Sequence, residues 1–185
     1  FIIHLKKEKA AGQAAEYSNI NSFVLGWLLE KVTGKKYADI VSEMLWQPMG
    51  ASSSAYMCLS DNGIAWPHGG LSATLRDLAR FGMLFTKADI NSRRESIIGF
   101  SQVKEIFDAK PVKSPIAPFK WAYQWDLADN GMLMKSGFGG QALYVHPEEE
   151  IVIAYFNYAD SDWSVNTIIS DKAVNELLKA IGANK

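Results

Sequence analysis

The chain has 185 residues, of which 48% are hydrophobic and 12% aromatic, a composition that suits one soluble globular domain with a substantial core. Its formal net charge is −1, from 19 basic and 20 acidic residues, so no field of a single sign is available to attract nucleic acid or an anionic membrane. No apolar run approaches the ~18 residues that a membrane-spanning helix needs, and the lone cysteine, Cys58, excludes an internal disulfide while leaving the redox compartment open.

The amino terminus does not have the pattern of an export signal. The first residue is Phe1, and in FIIHLKKEKAAGQ a short apolar stretch precedes the charges, whereas a signal peptide has its charges first. We therefore expect the chain to be a portion of a longer protein. Any export signal would lie in the missing part, so the sequence leaves the compartment open, a periplasmic or secreted one included.

Helical spacing of apolar residues dominates the first 120 residues. The predicted helices cover residues 20–32, 37–46, about 75–85, and 102–108. Ser18 or Asn19 is the natural N-cap of the first helix, Thr33-Gly34 ends it, and Thr74 caps the third. Residues 51–72, rich in Ser, Gly and Asp, are predicted to form a loop.

From Trp121 onward the apolar pattern alternates, which is typical of strands. The predicted strands are residues 121–127, 131–136, 141–146 and 151–157, joined by a two-residue hairpin turn within DNG (129–131) and by a turn at PEEE (147–150). We expect one antiparallel sheet in sequential order, with an amphipathic helix over residues 164–181 packed on one face. The order predicts a single α+β domain, with a mainly helical part over residues 1–120 and the meander with its closing helix over 121–185.

The stretch KSGFGGQ, residues 135–141, leaves a predicted strand and enters a glycine-rich turn. Lys135 supplies a positive charge, Ser136 a hydrogen bond, and Gly137 lets a ligand approach the strand edge without a Cβ in the way. Together these groups can hold a carboxylate or a carbonyl. Taken alone, Lys-Ser-Gly in a hairpin is also typical of a solvated turn.

Tyr17 and Asn19 stand where a polar loop enters the first predicted helix. Capping explains the asparagine, and packing of a half-buried aromatic explains the tyrosine. With a reference pKa of about 10, tyrosine is a poor base at neutral pH. One ammonium about 4 Å away, at an effective dielectric of about 20, contributes about 4 kcal/mol before desolvation opposes it. A catalytic Tyr17 would therefore need Lys135 on one side and another lysine on the other.

The order and spacing of these motifs resemble those of the serine β-lactamase and penicillin-binding-protein superfamily. The motifs are YSN before a helix, GGLSATLRDLARFG in between, and KSG followed by GFGGQ on a late strand. The branch they most resemble contains the class C β-lactamases with their esterase and 6-aminohexanoate-dimer hydrolase relatives, and the resemblance runs from about Gly12 to Tyr158. It implies a β-lactamase/transpeptidase-like fold, an antiparallel sheet with flanking helices. It also implies that the parent protein is a serine hydrolase that forms an acyl-enzyme with an amide, a β-lactam or an ester.

The resemblance implies a role for each matching residue. Tyr17 would be the general base and acid, and Lys135 would stabilise its phenolate and meet anionic groups of the substrate, with Ser136 assisting. Asn19 would hydrogen-bond the acyl side chain or amide of the substrate. The backbone N–H of Phe138, just past the glycine, would be one oxyanion donor.

One motif of that family departs from its expected place. The nucleophile belongs to a Ser-x-x-K motif upstream of Tyr-x-Asn, and the residues before Tyr17 contain no serine. A Ser-x-x-K tetrad, SQVK, occurs at Ser101 to Lys104, between the other two motifs, and we expect Ser101 to be a helix N-cap instead. Two functions therefore stay open: a portion of a serine hydrolase that associates with its missing amino-terminal part, or a non-catalytic ligand-binding module that retains the cleft.

No metal or cofactor is expected. His4, His68 and His146 are scattered without the spacing of metal ligands, and Cys58 is single. GGLSATLRD lacks the Gly-Lys-Ser/Thr ending of a phosphate loop, so nucleotide binding is not expected. The expected partner is a small-molecule amide, lactam or ester, and the sequence does not choose among them.

Overall fold

The structure is a computed structural model. It describes residues 16–88, 96–109, 112–113, 120–137, 139–157 and 163–182, with residues 4, 6, 9, 10 and 13 before them; side chains are described for these residues except in 112–113 and 163–171. Helices come first, an antiparallel meander follows, and a helix closes the chain, so the predicted α+β class is confirmed.

The first helix, α1, spans Asn19–Thr33. It begins directly after Ser18, whose extended backbone makes it the N-cap, and it ends at Gly34, which has a φ of 69°. Glycine takes this left-handed conformation without the strain that a Cβ would cause. The predicted end of the helix at Thr33-Gly34 is therefore confirmed.

The next two segments differ from the prediction, the first in its helix type and the second because it contains two short strands. Helix α2, Tyr37–Val41, continues into a π-helical segment, Ser42–Trp46, so the predicted helix over 37–46 is present with wider final turns. The predicted loop over 51–72 contains a pair of short antiparallel strands, β1 (Tyr56–Met57) and β2 (Leu71–Ser72). The prediction of an unbroken loop is wrong there, because strands this short leave no alternation to detect.

The meander forms one antiparallel sheet in which each strand pairs with its neighbours in sequence, as predicted. Its strands are β3 (Val112–Lys113), β4 (Lys120–Ala122), β5 (Trp125–Leu127), β6 (Leu133–Ser136), β7 (Ala142–His146) and β8 (Ile151–Tyr155). The glycine at the end of KSG therefore follows a strand that lies between two others.

Two turns of the sheet differ from the prediction. The predicted strand over 121–127 is two strands, because the chain reverses at Tyr123 and Gln124, whose φ angles are 49° and 69°. Positive φ at both central residues suits the right-handed twist of a hairpin, but neither residue is a Gly, Asn or Asp. The DNG hairpin has a three-residue loop, because the N–H of Ala128 donates to the carbonyl of Met132 (2.9 Å).

Helix α3, Leu75–Met83, lies directly on the sheet. Its predicted N-cap is confirmed, because the Thr74 hydroxyl accepts a hydrogen bond from the N–H of Asp77 at 3.1 Å. A Cβ on Gly82 would lie 2.7 Å from Cγ1 of Val152 in β8 and 3.0 Å from Cδ1 of Leu143 in β7. The helix backbone therefore approaches the sheet more closely than any residue with a side chain would allow.

Helix α4, Phe100–Asp108, begins earlier than predicted. Its N-cap is Gly99, whose N–H donates to Oε1 of Gln102 at 2.8 Å, whereas Ser101 lies exposed in the first turn. The prediction of Ser101 as the N-cap is wrong, since the Gln102 side chain satisfies the start of the helix from within.

Each face of the sheet carries a buried cluster. On one face, α3 and α4 pack against the sheet, and the buried members of this cluster include Leu84, Val103, Trp125, Leu133 and Val145. On the other face, Val174 and Leu178 of α5 (Trp163–Ala180) pack on residues that include Met134 of β6, Tyr144 of β7 and Met132 just before β6. The predicted packing of the closing helix on a sheet face is therefore confirmed. Among the helices of the described ranges, none combines the length and apolar character that crossing a bilayer requires.

Candidate active site

Lys135, Tyr17 and Trp121 form a stacked cluster. The Tyr17 ring lies on the Trp121 ring with centroids 5.8 Å apart and an interplanar angle of 24°. The Nζ atom of Lys135 lies 5.3 Å from the Tyr17 centroid and 5.5 Å from the Trp121 centroid. An ammonium over aromatic faces is attracted by the ring quadrupoles. The fold thus places the predicted phenol and lysine together, while their catalytic roles stay predictions.

A pocket of about 210 Å³, called here the Tyr17 pocket, opens beside this cluster. It is lined by residues 16–19, 21 and 22 around the start of α1, by Pro67 and His68 from the loop before β2, and by Trp121, Gln124 and Lys135 from the sheet. Asn19 therefore shares a pocket with Tyr17 and Lys135. The Asn19 side chain makes no hydrogen bond to another described residue, so its amide is available to a ligand.

Burial perturbs the charge of Lys135. Loss of hydration lowers the pKa of its ammonium below the usual range, and the carboxylate of Asp126 partly opposes this by raising it. Asp126 is itself buried in β5, with 3% of its surface exposed. Burying the Lys135 ammonium costs folding free energy. A cation with a shifted pKa that lies beside a phenol in a pocket is typical of active sites.

His68 belongs to the Tyr17 pocket, although nothing in the sequence singled it out beyond its failure to match a metal motif. Its ring makes tilted contacts with the rings of Phe23 (centroids 4.6 Å apart, 34° between the planes) and Trp66 (5.3 Å, 33°). Its Nδ1 atom is buried and has no hydrogen-bond partner among the described residues. Trp121 was missed as well, because in WAYQW it looked like one more apolar residue of a strand.

A close contact between α1 and the loop before β2 fixes the position of His68. A Cβ on Gly26 of α1 would lie 2.7 Å from Cγ and 2.8 Å from Cβ of Pro67. The loop thus contacts helix α1 at Gly26 through Pro67, the residue that precedes His68. The two walls of the Tyr17 pocket are therefore held together by a contact that only glycine permits.

Ser136 and Gly137 line a neighbouring pocket of about 380 Å³ that shares Lys135 with the Tyr17 pocket. The space above Gly137 is filled by the Gln141 side chain, since a Cβ on Gly137 would lie 2.8 Å from Nε2 of Gln141. The side chain that approaches this strand edge is thus the chain's own glutamine, which would have to move before a ligand took its place. Phe138, the predicted oxyanion donor, lies outside the described residues.

The SQVK tetrad lies away from these residues. Ser101 and Lys104 do not line the Tyr17 pocket, and Nζ of Lys104 lies 5.5 Å from the ring of Phe100 in its own helix. Lys135 is the one lysine among the described residues that line the Tyr17 pocket, so the predicted second lysine is not found there. The described part of the chain also contains no group of three His, Cys, Asp or Glu side chains that could hold a metal ion.

A family model described as Beta-lactamase matches residues 1–164. The chain belongs to the beta-lactamase family. Among curated proteins, it is similar to the 6-aminohexanoate-dimer hydrolase of Paenarthrobacter ureafaciens, with 26% identity over 173 residues that cover 88% of this chain and 44% of that protein. This agrees with the superfamily that the motifs resembled.

Solved structures confirm the β-lactamase-like fold. A Bacillus anthracis protein provisionally named as a 6-aminohexanoate-dimer hydrolase aligns with a TM-score of 0.82 and 26% identity, covering 96% of this chain and 47% of its own. A novel penicillin-binding-protein homologue from Caulobacter crescentus aligns with a TM-score of 0.63 and 16% identity, covering 85% of this chain and 58% of its own, and shows the fold alone. This beta-lactamase-family chain spans about half the length of the relatives it matches.

Proposed function

We propose that this chain is a portion of a serine hydrolase that forms an acyl-enzyme with an amide, a β-lactam or an ester. The observation that carries the proposal is the Lys135 ammonium over the Tyr17 ring, in a pocket that also contains Asn19. Membership of the beta-lactamase family supports the same chemistry. The relatives named for 6-aminohexanoate-dimer hydrolysis make a linear amide the first substrate to test.

In this proposal Tyr17 moves the protons of both half-reactions. As a serine oxygen forms its bond to the substrate carbonyl carbon, the Tyr17 phenolate takes the hydroxyl proton. When the bond to the leaving amine or alkoxide breaks, the Tyr17 phenol returns that proton to the leaving group. Water then repeats the sequence on the acyl-enzyme. The ammonium of Lys135 stabilises the phenolate, and its partial burial strengthens that interaction because less water screens it.

Other residues hold the substrate in this proposal. Asn19 hydrogen-bonds the acyl side chain or amide, and Ser136 assists Lys135 at anionic groups. The backbone N–H of Phe138 is one oxyanion donor, a role that rests on its place after Lys-Ser-Gly in the sequence.

The nucleophile in this proposal comes from a Ser-x-x-K segment outside the 185 residues. Exposed apolar surface supports the presence of such a covering segment. Helix α1 exposes 42–71% of five large apolar side chains: Leu25, Trp27, Leu28, Leu29 and Val32. A groove of about 800 Å³, lined mainly by apolar residues, runs from α2 to the sheet and has Lys135 at its polar end. Soluble proteins rarely leave surface of this kind uncovered.

The test uses the complete protein, meaning the product of the whole reading frame that encodes this chain. It is offered the linear dimer of 6-aminohexanoate, a chromogenic β-lactam and a p-nitrophenyl ester. The proposal predicts turnover of at least one of them and, with the p-nitrophenyl ester, a burst of p-nitrophenol that approaches the enzyme concentration when deacylation is the slower step. Binding of these compounds without any turnover would contradict it and favour the non-catalytic ligand-binding module.

A further inference from the structure

We infer that His68 is a substrate-binding residue whose Nε2–H donates a hydrogen bond to a carbonyl oxygen in the acyl chain of an amide-containing substrate. The inference rests on the proposed function and narrows its substrate class. It concerns the part of the substrate beside the bond that is cleaved, not the reacting atoms.

The two ring nitrogens of His68 have different surroundings. Nδ1 is buried without a partner among the described residues. Nε2 also lacks a hydrogen-bond partner among the described residues, but unlike Nδ1 it is not buried and is therefore accessible to a ligand. A buried N–H without an acceptor is rarer in proteins than an unfilled acceptor. The proton of the neutral ring therefore belongs on Nε2, which makes this atom a hydrogen-bond donor.

The accessible donor lies where a substrate would bind. His68 lines both the Tyr17 pocket and the apolar groove, so its ring stands at the boundary between them, and Lys135 lines both as well. Tilted contacts with the rings of Phe23 and Trp66 restrain the plane of the ring, and the contact of Gly26 with Pro67 restrains its backbone. An oriented donor is thus presented beside the proposed reaction centre.

Asn19 on the same pocket complements this donor. Its side-chain amide has no described partner and can accept a hydrogen bond from an N–H while His68 donates to a C=O. One acceptor and one donor on a single pocket match the two polar groups of a secondary amide. The pocket therefore fits an acyl chain that contains an amide, as in a linear oligoamide, better than a plain hydrocarbon chain.

A buried nitrogen without a partner reduces the stability of the fold. Removing it should therefore not lower the unfolding midpoint, so a loss of activity without a loss of stability would indicate a role in substrate binding. His68→Phe keeps the ring contacts with Phe23 and Trp66 while removing both nitrogens. His68→Gln places an amide N–H near the position of Nε2. His146→Phe is the matched control, because His146 ends β7 near the DNG hairpin, away from the end of β6 that carries Lys135.

The experiment compares two p-nitrophenyl esters whose acyl chains have equal length, one carrying an amide in place of two methylene groups. In the complete protein we expect His68→Phe to lower kcat/KM about tenfold for the amide ester and not for the hydrocarbon ester, a change equivalent to about 1.4 kcal/mol. His68→Gln should recover part of the loss. The unfolding midpoint of His68→Phe should equal or exceed that of the wild type, and His146→Phe should leave the amide preference unchanged.

Two results would overturn the inference. One is an unchanged amide preference in His68→Phe, and the other is an equal loss on both esters, which would indicate a structural role. If the complete protein hydrolyses neither ester, the inference is decided by calorimetric binding of N-acetyl-6-aminohexanoate, while the proposed function is judged separately by turnover of the linear amide dimer and the β-lactam. Tenfold weaker binding to His68→Phe than to the wild type would support the inference, and equal binding would overturn it.

Discussion

The Nζ atom of Lys135 lies 5.3 Å from the centre of the Tyr17 ring and 5.5 Å from that of Trp121. Tyr17 precedes the first helix, Lys135 lies near the end of β6, and Trp121 lies on β4. Three separate parts of the fold must therefore be in place before the cluster exists. The burial that lowers the pKa of Lys135 is a cost to folding, which makes the cluster a candidate for function rather than for stability.

Replacing Tyr17 by Phe should separate the hydroxyl from the ring. The phenylalanine ring keeps the stacking on Trp121 and the contact with Lys135, so we expect the unfolding midpoint to stay unchanged. Loss of the proton carrier should lower kcat by about 10²–10⁴-fold, measured on the complete protein with its best substrate. Tyr123→Phe, at an exposed turn, is the matched control and should keep full activity. Wild-type kcat in Tyr17→Phe would refute the proposed role.

Replacing Lys135 by Met should lower activity without lowering stability. Because burial lowers the pKa of Lys135, the native state at neutral pH holds a proton less firmly than the unfolded chain does, and removing the charge removes that penalty. We therefore expect an unfolding free energy equal to or above that of the wild type, with kcat at least about 100-fold lower. Lys120→Met, at an exposed lysine that pairs with Asp129, should change neither. Marked destabilisation by Lys135→Met would indicate a structural lysine.

Adding one methyl group at Gly26 should disturb the pocket from a distance. Alanine raises helix propensity by about 1 kcal/mol over glycine, yet its Cβ would lie 2.7 Å from the ring of Pro67. We expect the clash to dominate and to destabilise the protein by about 1–3 kcal/mol in denaturant unfolding, with weaker substrate binding. Gly69→Ala, on the same loop with nothing within 4 Å of the added Cβ, should have little effect. A Gly26→Ala variant more stable than the wild type would show that the loop yields.

A buried carboxylate network should control acid stability. Asp77 is fully buried, and its carboxylate accepts hydrogen bonds from the N–H of Ser52 (2.8 Å), the hydroxyl of Thr74 (2.8 Å) and the guanidinium of Arg80 (2.5 Å). Burial alone would raise the pKa of Asp77, but these hydrogen bonds outweigh it and lower the pKa from 3.8 to about 2. The network also ties the loop at Ser52 to α3.

The sign of this shift predicts how Asp77→Asn will behave. A lowered pKa in the folded state contributes stability that is fully present above pH 3.8 and is lost as the pH falls toward 2. We expect Asp77→Asn to cost roughly 1–3 kcal/mol at pH 7, because Thr74 and Arg80 lose a charged acceptor. In urea unfolding at a series of pH values, the difference from wild type should narrow below pH 4. A difference that stays constant down to pH 3 would show that the carboxylate is not the source of the acid sensitivity.

The helices and strands could largely be predicted from local patterns in the sequence. Helical spacing predicted α1 to within a residue at each end, and alternation predicted the order of the meander. The turn at Tyr123-Gln124 was missed because left-handed backbone there depends on strand pairing, not on a Gly or Asn in the sequence. The cap at Gly99 was missed because glycine has no side chain to indicate it, and the Gln102 side chain, at the third position of the helix, accepts the hydrogen bond of the Gly99 N–H.

The candidate site was only partly visible in the sequence. Tyr17, Asn19 and Lys135 stand in short motifs, and the fold brings them into one pocket. Trp121 and His68 lie in the same pocket, yet the sequence showed Trp121 only as an apolar residue of a strand and His68 only as part of a loop. Their placement depends on the stacking of Trp121 with Tyr17 and on the contact between Gly26 and Pro67, which join residues far apart in the sequence.

The central claim is that the Tyr17–Lys135 site works with a serine from outside these 185 residues. The most direct measurement is the intact mass of the protein after treatment with a fluorophosphonate and with a labelled penicillin, followed by peptide mapping. We predict one covalent adduct per complete protein, on the serine of an upstream Ser-x-x-K motif, and none on the 185-residue chain alone. A stoichiometric adduct on Ser101, or on Ser18 or Ser22 of the Tyr17 pocket, would contradict the account.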